Sequence, residues 1–396
     1  MQDQKRVLFT FPLSPIGKSS GCQTRALTLL QYFKKRGMKV DFISRQGDWE
    51  RSNTQEEMDR IRNSGFVENA WFWNRKPPKT NAITYFFQYK LRHMLYNRKL
   101  KLVKGALPNL VNLHLRTEFD NILKKNKYDY IIISYVYYAD LIKDNPLIGD
   151  AITIADTHDL VTPQHLRDKG INISASLEEE LRRLSLFNQV WACSSEENYF
   201  FSQFLPNNVW YIPTMGEIPP ANVKASPDKQ FDMVYVASDN YHNQISAKWF
   251  FDEVYPLLPS NYTICIIGKI AKHIPQDLKN VTIIPYVEDL SEYYAGSKVV
   301  LCPMLSGTGV KVKVLEALSY GKPVVCNERG QDGLPDKSNN GCLVTDEATE
   351  FAEYINQLLR NPDFLAQQGE LSIGSYKKNF SAEKVYKKMD AALKLN

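Results

Sequence analysis

Ser306 to Val325 reads SGTGVKVKVLEALSYGKPVV, and this order of residue types decides the fold. Ser306-Gly307-Thr308-Gly309 is a loop in which two glycines let the backbone approach a ligand closely and take positive φ. Val310, Val314, Leu315 and Leu318 then recur at the spacing of one helix face. Gly321 is placed as the C′ residue that stops the helix, with Pro323 two positions beyond. Val324-Val325 begins a buried strand, and Leu301 to Pro303 supplies a strand just before the loop. The unit is strand, glycine loop, helix, strand. Lys311 and Lys313 fall in the first turn, where positive charge opposes the helix dipole. An anion such as a bound phosphate gives that placement a reason, although an ordinary α/β loop with solvent lysines carries the same residues. Glu316, one turn on, is placed to accept hydrogen bonds from sugar hydroxyls.

The pattern G-x-G-x-[K/R]-x-K-x-L-E-A-x-x-x-G-K-P-V-V resembles the donor-binding segment of GT-B glycosyltransferases, specifically the retaining GT4-like kind (glycosyl transferases group 1). The resemblance implies that Glu316 binds the ribose of a nucleotide-sugar. It also implies that the loop backbone at Thr308, Gly309 and Val310, together with Lys311 and Lys313, holds the pyrophosphate. The implied fold is α/β of the GT-B type, two Rossmann-like domains facing an interdomain cleft. Residues 1–215 would be the acceptor-binding domain and 216–378 the nucleotide-sugar domain, with a helix at 379–396 crossing back to the first. The chain departs from the family twice. Many members carry a glutamate eight residues before the one matching Glu316, where this chain has Thr308. Many also carry an arginine after the first strand of the second domain, where this chain has Asn240 and Asn243.

The chain has 396 residues, enough for two domains. Its composition, 43% hydrophobic and 23% charged, is that of a globular protein. No apolar run is long enough for a transmembrane helix, and MQDQKRVLFTFPL reads as a first strand instead of a signal peptide. The six cysteines form no C-x-x-C pair and read as buried thiols in a reducing cytoplasm. A net charge of +5 is too small to argue for nucleic acid. The expected location is cytoplasmic, peripheral on the inner face of the cell membrane.

The first half opens with a strand at Val7 to Phe11, a loop holding Gly17 and Gly21, a helix from about Thr24 to Arg36, and a strand at Lys39 to Ser44. This βαβ unit lacks the G-x-G-x-x-G spacing of a dinucleotide site. By resemblance its glycine loop lies near the donor phosphates, while a plain βα turn reads equally well. Later, Asp156-Thr157-His158-Asp159 follows a strand at Ala151 to Ala155, the place where open α/β sheets put ligand-binding residues. The resemblance makes His158 a cleft histidine, and a structural His-Asp pair is the alternative.

Residues 45–117 are of another kind. Tyr85, Phe86, Phe87, Tyr89 and Tyr96 alternate in blocks with Lys90, Arg92, Arg98, Lys99, Lys101 and Lys104. A basic, aromatic helix of this sort suits an anionic membrane surface at residues 85–104; a solvated helix with one core-facing stripe fits as well. Residues 213–230, rich in proline and polar groups, are the candidate linker. The second half restarts with a strand at Asp232 to Ala237. Gly268-Lys269 follows a later strand, where Lys269 would set a cation by the pyrophosphate or be a solvent lysine. Tyr286, after a strand at Val281 to Ile284, would pack on the nucleotide base.

The expected activity is therefore a retaining, hexosyltransferase-like enzyme serving bacterial surface polysaccharide or glycolipid synthesis. Its catalytic residues would be His158, Lys311 and Glu316. Its partners would be a nucleotide-sugar donor and a glycan or lipid-linked acceptor, not nucleic acid. No cofactor is implied and no metal, since no D-x-D stands near a strand end. A nucleotide-sugar epimerase of the same shape and a non-catalytic binding module are the alternatives.

Overall fold

The structure, a computed structural model, describes residues 4–17, 20–47, 52–79, 81–100, 103–215 and 223–395. It forms two compact units, Met1–Ile212 and Pro213–Asn396. Part of the candidate linker, 216–222, lies outside the described residues.

Unit 1 is built on seven parallel strands: β1 (Arg6–Thr10), β2 (Lys39–Arg45), β3 (Asn69–Trp73), β4 (Tyr130–Ser134), β5 (Ile152–Asp156), β6 (Gln189–Ala192) and β7 (Val209–Tyr211). They lie in the order β3-β2-β1-β4-β5-β6-β7. β1, β4 and β5 are buried along almost their whole length, as parallel strands covered on both faces must be. The helices are α1 (Gly21–Lys35), α2 (Gln55–Arg62), α3 (Ala82–Tyr85), α4 (Arg92–Leu100), α5 (Leu113–Lys125), α6 (Ile173–Leu184) and α7 (Ser195–Phe204). A π turn, Phe86–Leu91, joins α3 to α4.

Unit 2 has six parallel strands: β8 (Phe231–Val236), β9 (Ile264–Ile267), β10 (Val281–Ile284), β11 (Ser297–Cys302), β12 (Val324–Cys326) and β13 (Cys342–Val344). Their order is β10-β9-β8-β11-β12-β13. The helices are α8 (Tyr241–Trp249), α9 (Ser291–Gly296), α10 (Val312–Ser319), α11 (Ala348–Arg360), α12 (Pro362–Asn379) and α13 (Ala382–Ala392). α10 lays Val314, Leu315 and Leu318 against Val300, Val324 and Cys326 of the sheet. Gly321 has φ +63 after it, and Lys322 N–H donates to Ala317 O at 3.0 Å, so the glycine closes the helix as its position foretold. α13 groups with unit 2.

Local interactions set the helix starts, and two of them differ from the sequence reading. α1 starts at Gly21, three residues early, because Ser20 takes the extended N-cap geometry. α8 starts at Tyr241, because the Asn240 side chain accepts from Asn243 N–H at 2.9 Å. α10 starts at Val312, so Val310 belongs to the loop and not to the helix face. Ser381 stands in the N-cap position of α13, but its hydroxyl donates to Lys377 O instead of capping. β3 was not anticipated: Trp71 to Trp73 pair with Ile43 to Arg45 at the sheet edge.

Asn327 fixes the carboxyl end of the second sheet. It is fully buried; its Oδ1 accepts from Met304 N–H at 2.9 Å and its Nδ2 donates to Thr345 O at 3.2 Å. It thereby ties the loop after β11 to the segments after β12 and β13. Asn327→Ala leaves both backbone groups without that partner and is expected to cost about 2–4 kcal/mol, read as a lower urea midpoint.

Candidate functional site

In each unit the strand order reverses direction once, between β1 and β4 and between β8 and β11. Ligands of open α/β sheets bind outside the carboxyl ends of the strands at such a reversal. Most of the residues singled out from the sequence lie at these two places, and Lys269 and Tyr286 lie farther along the second sheet's edge.

In unit 2 the glycine loop follows β11 directly. Gly307 has φ +103 and Gly309 φ +75, conformations that a side chain resists. The imidazole of His242, from the first turn of α8, lies against Gly307: a Cβ there would stand 3.4 Å from its Cγ. His242 Nδ1 is 2.8 Å from Ser306 Oγ. The buried Ser246 hydroxyl accepts from Leu305 N–H at 3.1 Å and donates to His242 O at 2.7 Å. The start of α8 is therefore bound to the start of the glycine loop. His242 was not among the residues chosen from the sequence. Its signal was its place after the first strand of the unit, in the region where the family arginine is missing.

The two loop lysines do different things. Lys311 is buried and turns back, donating to Gly309 O at 2.7 Å and Thr308 O at 3.2 Å, with Asp332 3.8 Å away. It clamps the loop from within. Lys313 lies 3.3 Å from Asn243 Oδ1 and 5.5 Å from the centre of the Tyr235 ring. Burial pulls its ammonium below the ordinary lysine range. Glu316, on α10, accepts from the hydroxyl of buried Tyr294 at 2.9 Å. Burial, then the Glu316 charge, push that phenol far up, so it stays a donor. Val310 fills the space beside Gly333, whose absent Cβ would stand 2.5 Å from Val310 Cγ2. Thr308 is exposed.

Lys269 is exposed after Gly268, which has φ +115 and packs against Ala237 O where a Cβ would intrude to 2.3 Å. β9 adjoins β8, so Lys269 stands one strand from the reversal. Tyr286 is 75% exposed at the end of the edge strand β10, two strands away. The structure thus brings together His242, Ser306, Lys311, Lys313 and Glu316, with Lys269 and Tyr286 farther along the same sheet edge.

In unit 1, His158 follows β5 with φ +64, and Tyr135 follows β4 with φ +67. Two non-glycine residues in this region, each costing on the order of 1–2 kcal/mol, stand at adjacent strand ends. Their rings stack at 4.5 Å, and Phe11, after β1, stacks on His158 at 5.4 Å. The Cys193 thiol donates to His158 O at 3.1 Å and helps to hold the turn. His158 Nε2 is in ion-pair contact with Asp156 Oδ2 at 2.8 Å, too bent for a good hydrogen bond. The Arg25 guanidinium meets Asp156 Oδ1 at 2.6 Å through Nη2 and at 2.7 Å through Nε. Burial raises the Asp156 pKa, but the charges of Arg25 and His158 outweigh it and hold the carboxyl well below the usual range. Neither Arg25 nor Tyr135 was picked out from the sequence. Arg25 looks like an ordinary helix residue, and a positive φ at tyrosine has no signature in a single chain.

Gly17 is exposed with φ +77, and a Cβ there would lie 2.8 Å from Arg60 Nη1. Arg60 of α2 therefore rests on the loop after β1. Gly21 is the first residue of α1.

Two Rossmann-like units of parallel strands with their sites at the carboxyl edges define the GT-B class. Among solved structures, the chain is similar over 99% of its length to 98% of sucrose-phosphate synthase from Thermosynechococcus elongatus, with a TM-score of 0.68 and 14% identity. HepE from Anabaena, solved with UDP and glucose, matches over 99% of this chain and all of its own, with a TM-score of 0.66 and 15% identity. TarM matches at a TM-score of 0.67 and 13% identity, over 100% of this chain and 99% of its own. Residues 230–361 match the family described as Glycosyl transferases group 1. The chain thus has the GT-B fold, and within unit 2 it matches that group over residues 230–361. A 44.6 kDa protein from the cps region of Klebsiella pneumoniae is 18% identical over 331 residues, 74% of this chain and 83% of its own length.

Arg25→Met leaves the buried Asp156 carboxylate without its main partner and is expected to destabilise unit 1 by about 3–5 kcal/mol. The same carboxyl gives the intact protein an acid dependence. Held low in the folded state, it contributes stability that is complete above about pH 4, its unfolded value, and is lost as pH falls below that. Asp156→Asn should flatten the stability profile between about pH 4 and pH 2, measured by urea unfolding at each pH.

Proposed function

We propose that the chain transfers a hexose from a nucleotide-diphosphate sugar to an acceptor hydroxyl with retention of configuration. The product would be a bacterial surface polysaccharide or glycolipid. The observation that carries this reading is the junction of α8, the glycine loop and α10. There one helix start, a loop of positive-φ glycines and a partly buried ammonium stand beside a carboxylate held by a buried tyrosine. Backbone N–H groups and Lys313 would take the diphosphate, with His242 and Lys269 beside it. Glu316, oriented by Tyr294, would take the ribose hydroxyls, and Tyr286 the base. Lys311 would act by fixing the loop carbonyls so that the neighbouring N–H groups point outward.

In this reading the bond between the anomeric carbon and the diphosphate oxygen breaks while the acceptor oxygen bonds to the same face. The acceptor proton passes to the departing phosphate, so no protein base is assigned. Neutralising the leaving charge by fixed donors is the main contribution to rate, and orientation of the acceptor is the second. The protein groups supply this neutralisation without a metal or cofactor. His158, with Nε2 facing Asp156 at 2.8 Å, would help to shape the acceptor side in unit 1. Thr308 offers no carboxylate to the transferred sugar, which leaves fewer charged contacts there. The cps-region relative supports a polysaccharide product.

A thermal-shift series with UDP, GDP, ADP and CMP sugars tests the reading. One nucleotide class should raise Tm, since ligand at about a hundred times Kd adds about 2.7 kcal/mol. Glu316→Ala should abolish the shift while the circular dichroism spectrum is kept. Lys313→Ala should weaken the nucleoside diphosphate by about tenfold and leave the nucleoside nearly unchanged. Equal losses for both ligands would remove the lysine from the phosphate site.

A further inference from the structure

Between Glu68 and Glu118 the chain has no acidic residue and ten lysines or arginines. The whole chain is only +5, so everything outside this stretch is net negative. The middle of the stretch folds as one helical run, 82–100, made of α3, the π turn and α4. One side of it is anchored. Tyr85 is buried, its ring tilted against Tyr89 at 5.3 Å, and Tyr89 stacks on His93 at 5.2 Å. Tyr96 lies against Arg116 of α5.

The other side is apolar and open. Ile83 is 71% exposed and Phe87 59%, and Phe86, Met94 and Leu95 are each nearly half exposed; Val103 follows just after the run. These six are a large share of all the exposed large apolar residues described, gathered within 21 positions. Lys90, Arg92, Arg98 and Lys104 are exposed among them and form no ion pair among the described residues. An exposed apolar face of this density marks a binding surface, and the uniform sign of its charges selects an anionic partner. The run is interrupted by charges, and no described helix is long and apolar enough to cross a membrane. It has the build of a helix that lies in an interface.

We propose that the helical run 82–100, with Val103 and Lys104 after it, docks on an anionic lipid surface. Ile83, Phe86, Phe87, Met94 and Leu95 enter the boundary of the acyl region, while Lys90, Arg92, Arg98 and Lys104 meet lipid phosphates. A single-stranded nucleic acid shares the charge preference but is the poorer fit. It binds by stacking bases on aromatic rings, and here three of the five aromatic rings turn inward, while aliphatic and thioether side chains share the outer face with Phe86 and Phe87. The proposal stands without the transferase reading and goes beyond it by naming the surface on which the protein works.

Flotation of the full chain with vesicles tests it, using phosphatidylcholine alone and phosphatidylcholine with about one-third phosphatidylglycerol at about 0.1 M salt. The expected result is binding to the anionic vesicles at least about tenfold tighter than to the neutral ones, weakening as salt is raised. The Phe86→Ser, Phe87→Ser double variant and the Lys90→Glu, Arg98→Glu double variant should each bind on the order of tenfold more weakly, with Tm unchanged because all four positions are exposed. Ile83→Asp and Met94→Asp serve as second apolar variants should the phenylalanine pair lower Tm. Equal binding to both vesicle types, no binding to either, or apolar variants that bind as the intact chain does would overturn the proposal. Binding to polyuridylate that exceeds vesicle binding and vanishes only in the charge variant would assign the face to RNA instead.

Discussion

Parallel pairing constrains this molecule more than any single contact does. Parallel strands cannot be joined by tight hairpins, so after each strand the chain must cross a face of the sheet before the next begins. Every strand then ends at the same edge, and every loop that follows a strand opens there. Where the winding reverses, two neighbouring loops diverge and leave a crevice. The burial of β1, β4, β8 and β11 on both faces is the energetic side of this rule, since crossing helices cover both surfaces. Glycine loop, His242, Tyr135 and His158 stand where they do because the topology leaves no other edge for them.

What the two crevices add is rigidity acquired by different means. In unit 2 the loop is held by polar contacts from inside: Lys311 on the carbonyls of Thr308 and Gly309, Ser246 on Leu305, Asn327 on Met304. In unit 1 a stack of three rings rests on two residues in left-handed conformation, and a buried ion pair lies beneath. Such conformations persist only where the surroundings over-determine them, and they gather where strain serves a purpose. Polar groups that would be costly to bury alone are here bound to one another.

Much of this was legible in the sequence where the signal is local. Two glycines before a helical period, Gly321 and Pro323 after it, and flanking apolar runs fix a strand, loop, helix and strand from nearest neighbours alone. The alternation of strands and helices implied two α/β domains, and the GT-B fold was implied by the resemblance of that motif to a donor-binding segment. The early start of α8 was hidden because Asn240 reads as a loop residue until its side chain is seen capping Asn243. Lys311 and Lys313 look alike in a string of letters, yet α10 begins at Val312, between them, with one turned inward on the loop and the other beside Tyr235. Arg25 and Asp156 meet only through the fold, 131 positions apart in the chain, and periodicity carries no trace of that meeting. β3 was missed because its flanks are polar and its partner β2 gives it a place that its own residues do not announce.

One further contact of Arg25 has a wider consequence. The same guanidinium that braces Asp156 also donates through Nη1 to the carbonyl of Ile212 at 2.7 Å, and Pro213, Thr214 and Met215 beyond it are buried. Unit 1 therefore releases the chain from a moored post, and the mooring is shared with the histidine platform. One guanidinium thus joins the point where the polypeptide leaves unit 1 to the carboxylate that faces the imidazole.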